Sequence, residues 1–199
     1  MKHAVIVAHP NPDSFNLAMA HAYETAAKAL GHEVLMRDLY SIGFDPRLGA
    51  DEIPGSTGFN PRPDAQAERA MLADADVFVF VYPVWFNTPP AILKGYLERV
   101  FGTGFGFSTG AQGMQPLLKG KLMVSLSSSG APQAWMSQTG AWTALRKLFD
   151  EHFASVTGLS VIEHLHFGEI VPGITSEAVG ACLDQVGEAV RRNFGPPTN

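Results

Sequence analysis

The chain has 199 residues and carries 14 Lys and Arg against 19 Asp and Glu, a formal net charge of -5. That length suits one domain, 1–199, able to bury roughly 70% of the surface its unfolded form exposes, and the scattered basic residues leave no footprint for a nucleic acid. The lone Cys182 excludes a disulfide framework, suits a reducing compartment and, within the helical stretch AVGACLDQVGEAV, reads as a buried structural thiol.

The first predicted strand, AVIVA (4–8), enters the chain after a single lysine, without the apolar core and cleavage site of a signal peptide. No apolar run approaches the ~20 residues that span a bilayer, so the expectation is a cytoplasmic protein with no membrane insertion. The strand runs into HPNPDSFN (9–16) and then a helix over about 14–30. Ser14 or Asp13 can cap that helix, whose free N–H groups suit an anion, and His9, Ser14 and Asn16 can add side-chain donors to a phosphate. An elaborate N-cap shaped by Pro10 and Pro12 explains the same residues equally well.

A second strand, EVLMRDL (33–39), is followed by a long Gly/Pro-rich loop over 41–63 and a helix over 64–73. A third strand, DVFVFVY (76–82), leads into YPVWFNTPPAILKG (82–95) and a helix over 89–101. Pro83 ends the strand, a proline at 89 or 90 suits the first helical turn, and Trp85 and Phe86 set two aromatic faces beyond the strand end, where a flat aromatic ligand fits. Next comes a second long loop, 102–120, carrying Phe105 and Phe107. Structureless loops of that length are commonly functional or disordered.

The fourth strand, KLMVSLS (121–127), opens into SLSSSGAPQAW (125–135), where Ser127, Ser128, Ser129 and Gly130 offer consecutive N–H groups and hydroxyls; ordinary turns also use such runs. A helix over 138–157, a fifth strand LSVIEHLHF (159–167) and a helix over 176–194 complete the chain. His164 and His166 share one strand face, yet no third ligand at recognisable spacing accompanies them, so no metal site is expected.

Five βα units argue a parallel α/β sheet with helices on both faces, in strand order 2-1-3-4-5, which is the flavodoxin-like arrangement. Ligands of such sheets bind beyond the carboxyl ends of the strands at the switch point between strands 1 and 3. The chain has no GxxxxGK[ST] and no GxGxxG after a strand, which removes the usual triphosphate and Rossmann dinucleotide devices.

AHPNPDSFN, the proline-aromatic loop leading into PAILKGYLERVF, and the Ser/Gly turn together resemble the NAD(P)H:quinone oxidoreductases of flavodoxin-like fold, over roughly residues 3–165. The resemblance implies a homodimer with flavin at the subunit interface, FAD or alternatively FMN. It also implies a ping-pong, two-electron cycle in which NAD(P)H reduces the flavin and a small-molecule quinone reoxidises it. Carried over by position, His9, Ser14, Phe15, Asn16 and Leu17 would contact the flavin phosphates and ribityl chain. Pro83, Val84, Trp85, Phe86 and Asn87 would line the ring, Ser127, Ser128, Ser129 and Gly130 would face its pyrimidine edge, and Trp135 falls where the family often has a flavin-contacting tyrosine. Phe105, Phe107 and Trp135 are the candidate substrate pocket. This chain departs from the family in reading SSSG for its Thr-Thr-Gly-Gly turn, MSQTGAW where a histidine is usual, and Phe105 and Phe107 where tyrosines stand. The charge-stabilising work then falls to backbone amides and serines. No protein nucleophile is required, because the cofactor carries the hard chemistry. Two other functions share these features: a flavodoxin-type electron carrier, and a flavin-binding regulatory subunit of a membrane transporter.

Overall fold

Alternation along the all-buried strand VFVFVYP decides how the molecule is layered. The computed structural model describes residues 1–55, 60–110 and 113–196. In chain order its elements begin with β1 (Lys2–Val7), α1 (Phe15–Ala29), β2 (Glu33–Asp38), α2 (Pro63–Leu72), β3 (Val77–Pro83) and α3 (Ala91–Val100). They continue with β4 (Phe107–Gly110), β5 (Gly113–Pro116), β6 (Leu122–Ser128), α4 (Gln133–Gln138), α5 (Ala141–Leu145), a π-helical turn (Arg146–Glu151), α6 (His152–Thr157), β7 (Ser160–Phe167) and α7 (Ser176–Phe194). The five long strands form one parallel sheet in the order β2-β1-β3-β6-β7, the expected 2-1-3-4-5 arrangement.

On β3, Phe78, Phe80 and Tyr82 point into one core with α2, α3 and Phe149, while Val77, Val79 and Val81 point into the other with α1 and α7. A period of two places one large and one small apolar set on opposite faces of the same strand, so each helix layer packs at its own depth. Ser14 starts α1 by accepting a hydrogen bond from the Leu17 N–H at 3.3 Å, and Thr175 does the same for α7 with Ala178 at 3.2 Å.

Two segments differ from the sequence reading. Residues 102–120 are not structureless: β4 and β5 pair antiparallel from Phe107 opposite Pro116 to Gly110 opposite Gly113, and residues 111–112 lie outside the described part. The strands of this hairpin are four residues each and half-exposed or exposed, too short and polar for an alternation to announce them. The helix expected over 138–157 begins earlier, at Gln133, and is interrupted at Gly140, whose φ of 77° ends one helix before α5 starts. The π turn that follows rotates Phe149 and Asp150 into the interior.

The loop over 41–63, of which residues 56–59 lie outside the described part, is tied down from α3. Arg99, fully buried, donates to Glu52 at 2.9 Å and to Asp64 at 2.7 Å, and Gly95 admits the Pro46 backbone where a Cβ would stand 2.1 Å from its carbonyl oxygen. No helix among the described residues is long and apolar enough to cross a membrane.

Candidate functional site

Because the strands are parallel, their carboxyl ends bring the loops after β1, β3 and β6 to one edge of the sheet, where they enclose two adjoining chambers. One, of about 450 Å³, is lined by His9, Asn11, Asp13, Ser14, Phe15, Asn16, Pro83, Val84, Trp85, Ser128, Ser129 and Gly130. The other, of about 480 Å³, is lined by Val84, Phe86, Asn87, Ser129, Gly130, Ala131, Trp135, Met136 and Ala141. Val84, Ser129 and Gly130 are common to both. Each chamber falls within the ~300–1,000 Å³ typical of ligand sites.

The first chamber is polar at its α1 end. No acidic residue occupies the first turn of α1, so the positive end of its dipole and its first N–H groups are left for an anion. His9 turns its Nδ1 to the Asn11 N–H at 3.1 Å, and its ring lies 5.9 Å from that of Trp85. Asn16 is buried and joins two loops: its Nδ2 donates to Ser128 Oγ at 3.1 Å. Gly130 leaves the shared wall open, since a Cβ there would project into the chamber with only Val171 within reach, at 3.5 Å.

The second chamber is aromatic and its backbone is strained. Trp85 and Thr88 exchange backbone hydrogen bonds of 3.0 and 3.1 Å across a two-residue turn, which forces Phe86 and Asn87 to φ values of 50° and 60°. Such a turn favours Asn-Gly; a phenylalanine at positive φ costs of the order of 1–3 kcal/mol and persists only when its surroundings hold it. Here Asn87 does so by donating to the Ala141 carbonyl at 3.0 Å. The strain leaves Phe86 wholly exposed at the rim, with Trp85 at 43% and Trp135 at 53% exposure beside the same chambers.

The structure thus gathers thirteen of the expected site residues, from His9 to Trp135, around one composite cavity. Four others lie elsewhere. Leu17 is buried in the core under α1. Ser127 is fully buried and hydrogen-bonded to His164 and His166 at 2.7 and 2.8 Å. Phe105 packs its ring 5.5 Å from Phe101, and Phe107 lines a separate groove of about 380 Å³ with Leu48, Lys94, Leu148 and His152. Sequence reasoning missed Ile170, Val171, Pro172 and Ile174, which close the first chamber from the loop after β7. The signal for them was the apolar, proline-containing EIVPGIT just past the last strand. His164 and His166 are hydrogen-bonded to Ser127, and no group of three or more His, Cys, Asp or Glu that could hold a metal ion occurs among the described residues.

A doubly wound α/β protein with one composite cavity at the β1–β3 switch point is the class that fold and site define. A family model described as flavodoxin-like fold matches residues 1–190, and the chain belongs to that family, in its NAD(P)H:quinone oxidoreductase group. It is 33% identical over 171 residues to an uncharacterized NAD(P)H oxidoreductase of Haemophilus influenzae, covering 85% of each chain. It is 30% identical to the rat NAD(P)H dehydrogenase [quinone] 1 over 67% of this chain, and that stretch spans 56% of the rat enzyme's length. Among solved structures, the NAD(P)H:quinone oxidoreductase from Methanothermobacter marburgensis superposes with a TM-score of 0.88 at 25% identity, over 97% of this chain and 98% of that one.

Proposed function

We propose that the chain is a flavin-dependent NAD(P)H:quinone oxidoreductase that works as a homodimer. The observation that carries this reading is the cavity itself, a single site with an anion-ready helix terminus at one end and three exposed aromatic side chains at the other. A dinucleotide or mononucleotide flavin has that polarity, a phosphate at one end and a flat tricyclic ring at the other.

The residues present fit such a group. The α1 N-terminus and Ser14 would hold the phosphate, Val84 and Trp85 would flank the ring, and Ser129 with the Gly130 amide would meet its polar edge. When bound, the flavin supplies the hydride-accepting and hydride-donating chemistry. Phe86 and Trp135 would stack a flat acceptor over the second chamber, worth ~0.5–1.5 kcal/mol beyond the area they bury. Quinones fit first, and nitro- or azo-aromatics next. Exposed Phe86, Trp135 and Leu148 also favour association of two chains across this face.

The test is direct. Purified protein should be yellow, sediment as a dimer with one flavin per chain, and oxidise NAD(P)H with a quinone as acceptor in parallel-line kinetics. The mass of the extracted flavin separates FAD, which the family resemblance favours, from FMN. A colourless protein that takes up neither on titration would sink the reading, and flavin binding without NAD(P)H oxidation would favour the electron carrier.

A further inference from the structure

Beneath the cavity runs a hydrogen-bonded chain of side chains that flavin binding and acceptor stacking do not use. The parallel register sets Ser125 beside His164 and Ser127 beside His166, and alternation puts all four on one sheet face. The π turn brings the fully buried Asp150 to the same face. Asp150 Oδ2 lies 2.5 Å from His164 Nδ1, His164 Nε2 2.7 Å from Ser127 Oγ, Ser127 Oγ 2.8 Å from His166 Nδ1, and His166 Nε2 3.0 Å from Ser129 Oγ. Trp142 covers both imidazoles, its ring 4.7 Å from that of His164 and 5.4 Å from that of His166. Ser129, the outer end, lines both chambers.

The hydrogens along this chain can be assigned in sequence. Ser129 donates its hydroxyl to the Ala131 carbonyl at 3.0 Å, so its oxygen accepts from the His166 Nε2–H. Burial, and then the neighbouring His164, push His166 down to about 4, which leaves it neutral at pH 7 with a lone pair on Nδ1. Ser127 therefore donates to His166 and accepts from the His164 Nε2–H. One further proton must lie between His164 Nδ1 and Asp150 Oδ2, because two bare acceptors do not approach to 2.5 Å. The other Asp150 oxygen accepts from Ser125 at 2.8 Å, and Arg146 Nε stands 3.8 Å from Oδ2, so both carboxylate oxygens face donors. A further titratable neighbour is Tyr82, whose ring is 6.3 Å from that of His164; burial and then Asp150 hold it well above the usual phenol range, so it stays neutral.

We propose that Asp150, His164, Ser127, His166 and Ser129 form a proton relay that stores one proton on the Asp150–His164 pair and delivers it, at Ser129, to an acceptor bound in the cavity. This rests on the oxidoreductase reading, whose stoichiometry asks for such a proton. A quinone becomes a hydroquinone by gaining two electrons and two protons, and the hydride from a reduced nicotinamide supplies two electrons and only one proton. In the delivery step the Ser129 hydroxyl proton passes to the acceptor. Ser129 takes the His166 Nε2 proton, His166 Nδ1 takes that of Ser127, and Ser127 takes that of His164 Nε2. His164 is left neutral, still donating its Nδ1–H to an ionised Asp150. No bond between heavy atoms changes, and the reverse sequence, from water entering the open cavity after product leaves, reloads the pair.

The test has two arms. Nitrogen-15 spectra of the histidine rings in the flavin-free full chain at pH 7 should show His164 protonated on both nitrogens and His166 neutral with its proton on Nε2, and Asp150→Asn should return His164 to a neutral ring. A neutral His164 beside an ionised Asp150 would overturn the proposal. In the flavin-loaded protein, Ser127→Ala should slow the quinone half-reaction tenfold or more while changing the NAD(P)H half-reaction less than twofold, with Ser127→Thr restoring the parent rate. Should Ser127→Ala fold poorly, His166→Gln, at a residue that lines neither chamber, carries the same expectation. Parental quinone rates in both variants would overturn the relay, whereas a chain that binds no flavin would overturn the oxidoreductase reading and leave the stored proton to be decided by the nitrogen spectra.

Discussion

At the residue scale, Asn16 shows how a motif proposed to bind a cofactor also holds the fold together. Its amide is buried and pairs with Ser128 across 112 positions of sequence, so it latches the loop after β1 to the loop after β6. Truncation leaves the buried Ser128 hydroxyl without that partner, a loss of about 1–3 kcal/mol. Asn16→Ala should therefore lower the urea midpoint of flavin-free protein as well as weaken flavin binding. Unchanged stability without flavin would mean that the latch contributes nothing and that the residue serves the ligand alone. The SFN triplet was legible as a helix start near a ligand, but a partner so distant in sequence was not.

At the scale of an element, α3 explains the most specific run of the sequence, PAILKGYLERVF. Much of what makes it recognisable serves the 41–63 loop and α2 and not the cavity. Gly95 lets the Pro46 backbone approach, Tyr96 donates to Glu68 at 2.8 Å, and Arg99 joins Glu52 and Asp64. Asp64, and next Glu52, hold the Arg99 guanidinium firmly protonated against the cost of its burial. Gly95→Ala would place a Cβ 2.1 Å from the Pro46 carbonyl oxygen and 2.5 Å from its Cβ, contacts that only a shift of the loop relieves. Overpacking of this kind costs about 1–3 kcal/mol, although alanine is the better helix former by nearly 1 kcal/mol. The expected outcome is a lower denaturation midpoint; a rise would show that the loop yields freely.

For the whole molecule, one buried and one partly buried histidine, far apart on the sheet, set a common acid limit. His3, whose Nε2 lies 2.8 Å from His32 Nδ1, is pushed down to about 4 first by burial, then by His32 and the N-terminal amine; His166 is pushed to about 4 by burial and His164. Each binds its proton more weakly in the folded chain than in the unfolded one, where the value is near 6.5. The unfolded state therefore takes up protons first as pH falls. Their contribution is fully present above about pH 6.5 and is lost progressively toward pH 4, on the order of 1–2 kcal/mol each after solvent screening. Urea midpoints measured from pH 7.5 to 4 should fall across that window, and His3→Gln, which keeps a hydrogen-bonding side chain, should flatten the slope. A midpoint independent of pH over this range would show that neither histidine is desolvated as the packing implies.

Periodicity and punctuation by themselves determined the five parallel strands, their order and the edge at which a ligand would sit, because an alternating or continuous apolar run must be buried and a right-handed crossover leaves few ways to do it. They also determined that the residues after the first, third and fourth strands share a site, since parallel strands present their carboxyl ends together. Tertiary structure alone decided which of those side chains reach the cavity. Ser127 and Ser129 belong to one SSS run and share a sheet face, yet Ser127 sits inside β6, enclosed by His164 and His166, while Ser129, just past the strand end, stands at the chamber wall. It alone decided, too, that the two histidines on β7 and an aspartate from a π turn would meet, because the register of β6 against β7 and a one-residue widening of a helix have no signature in local sequence.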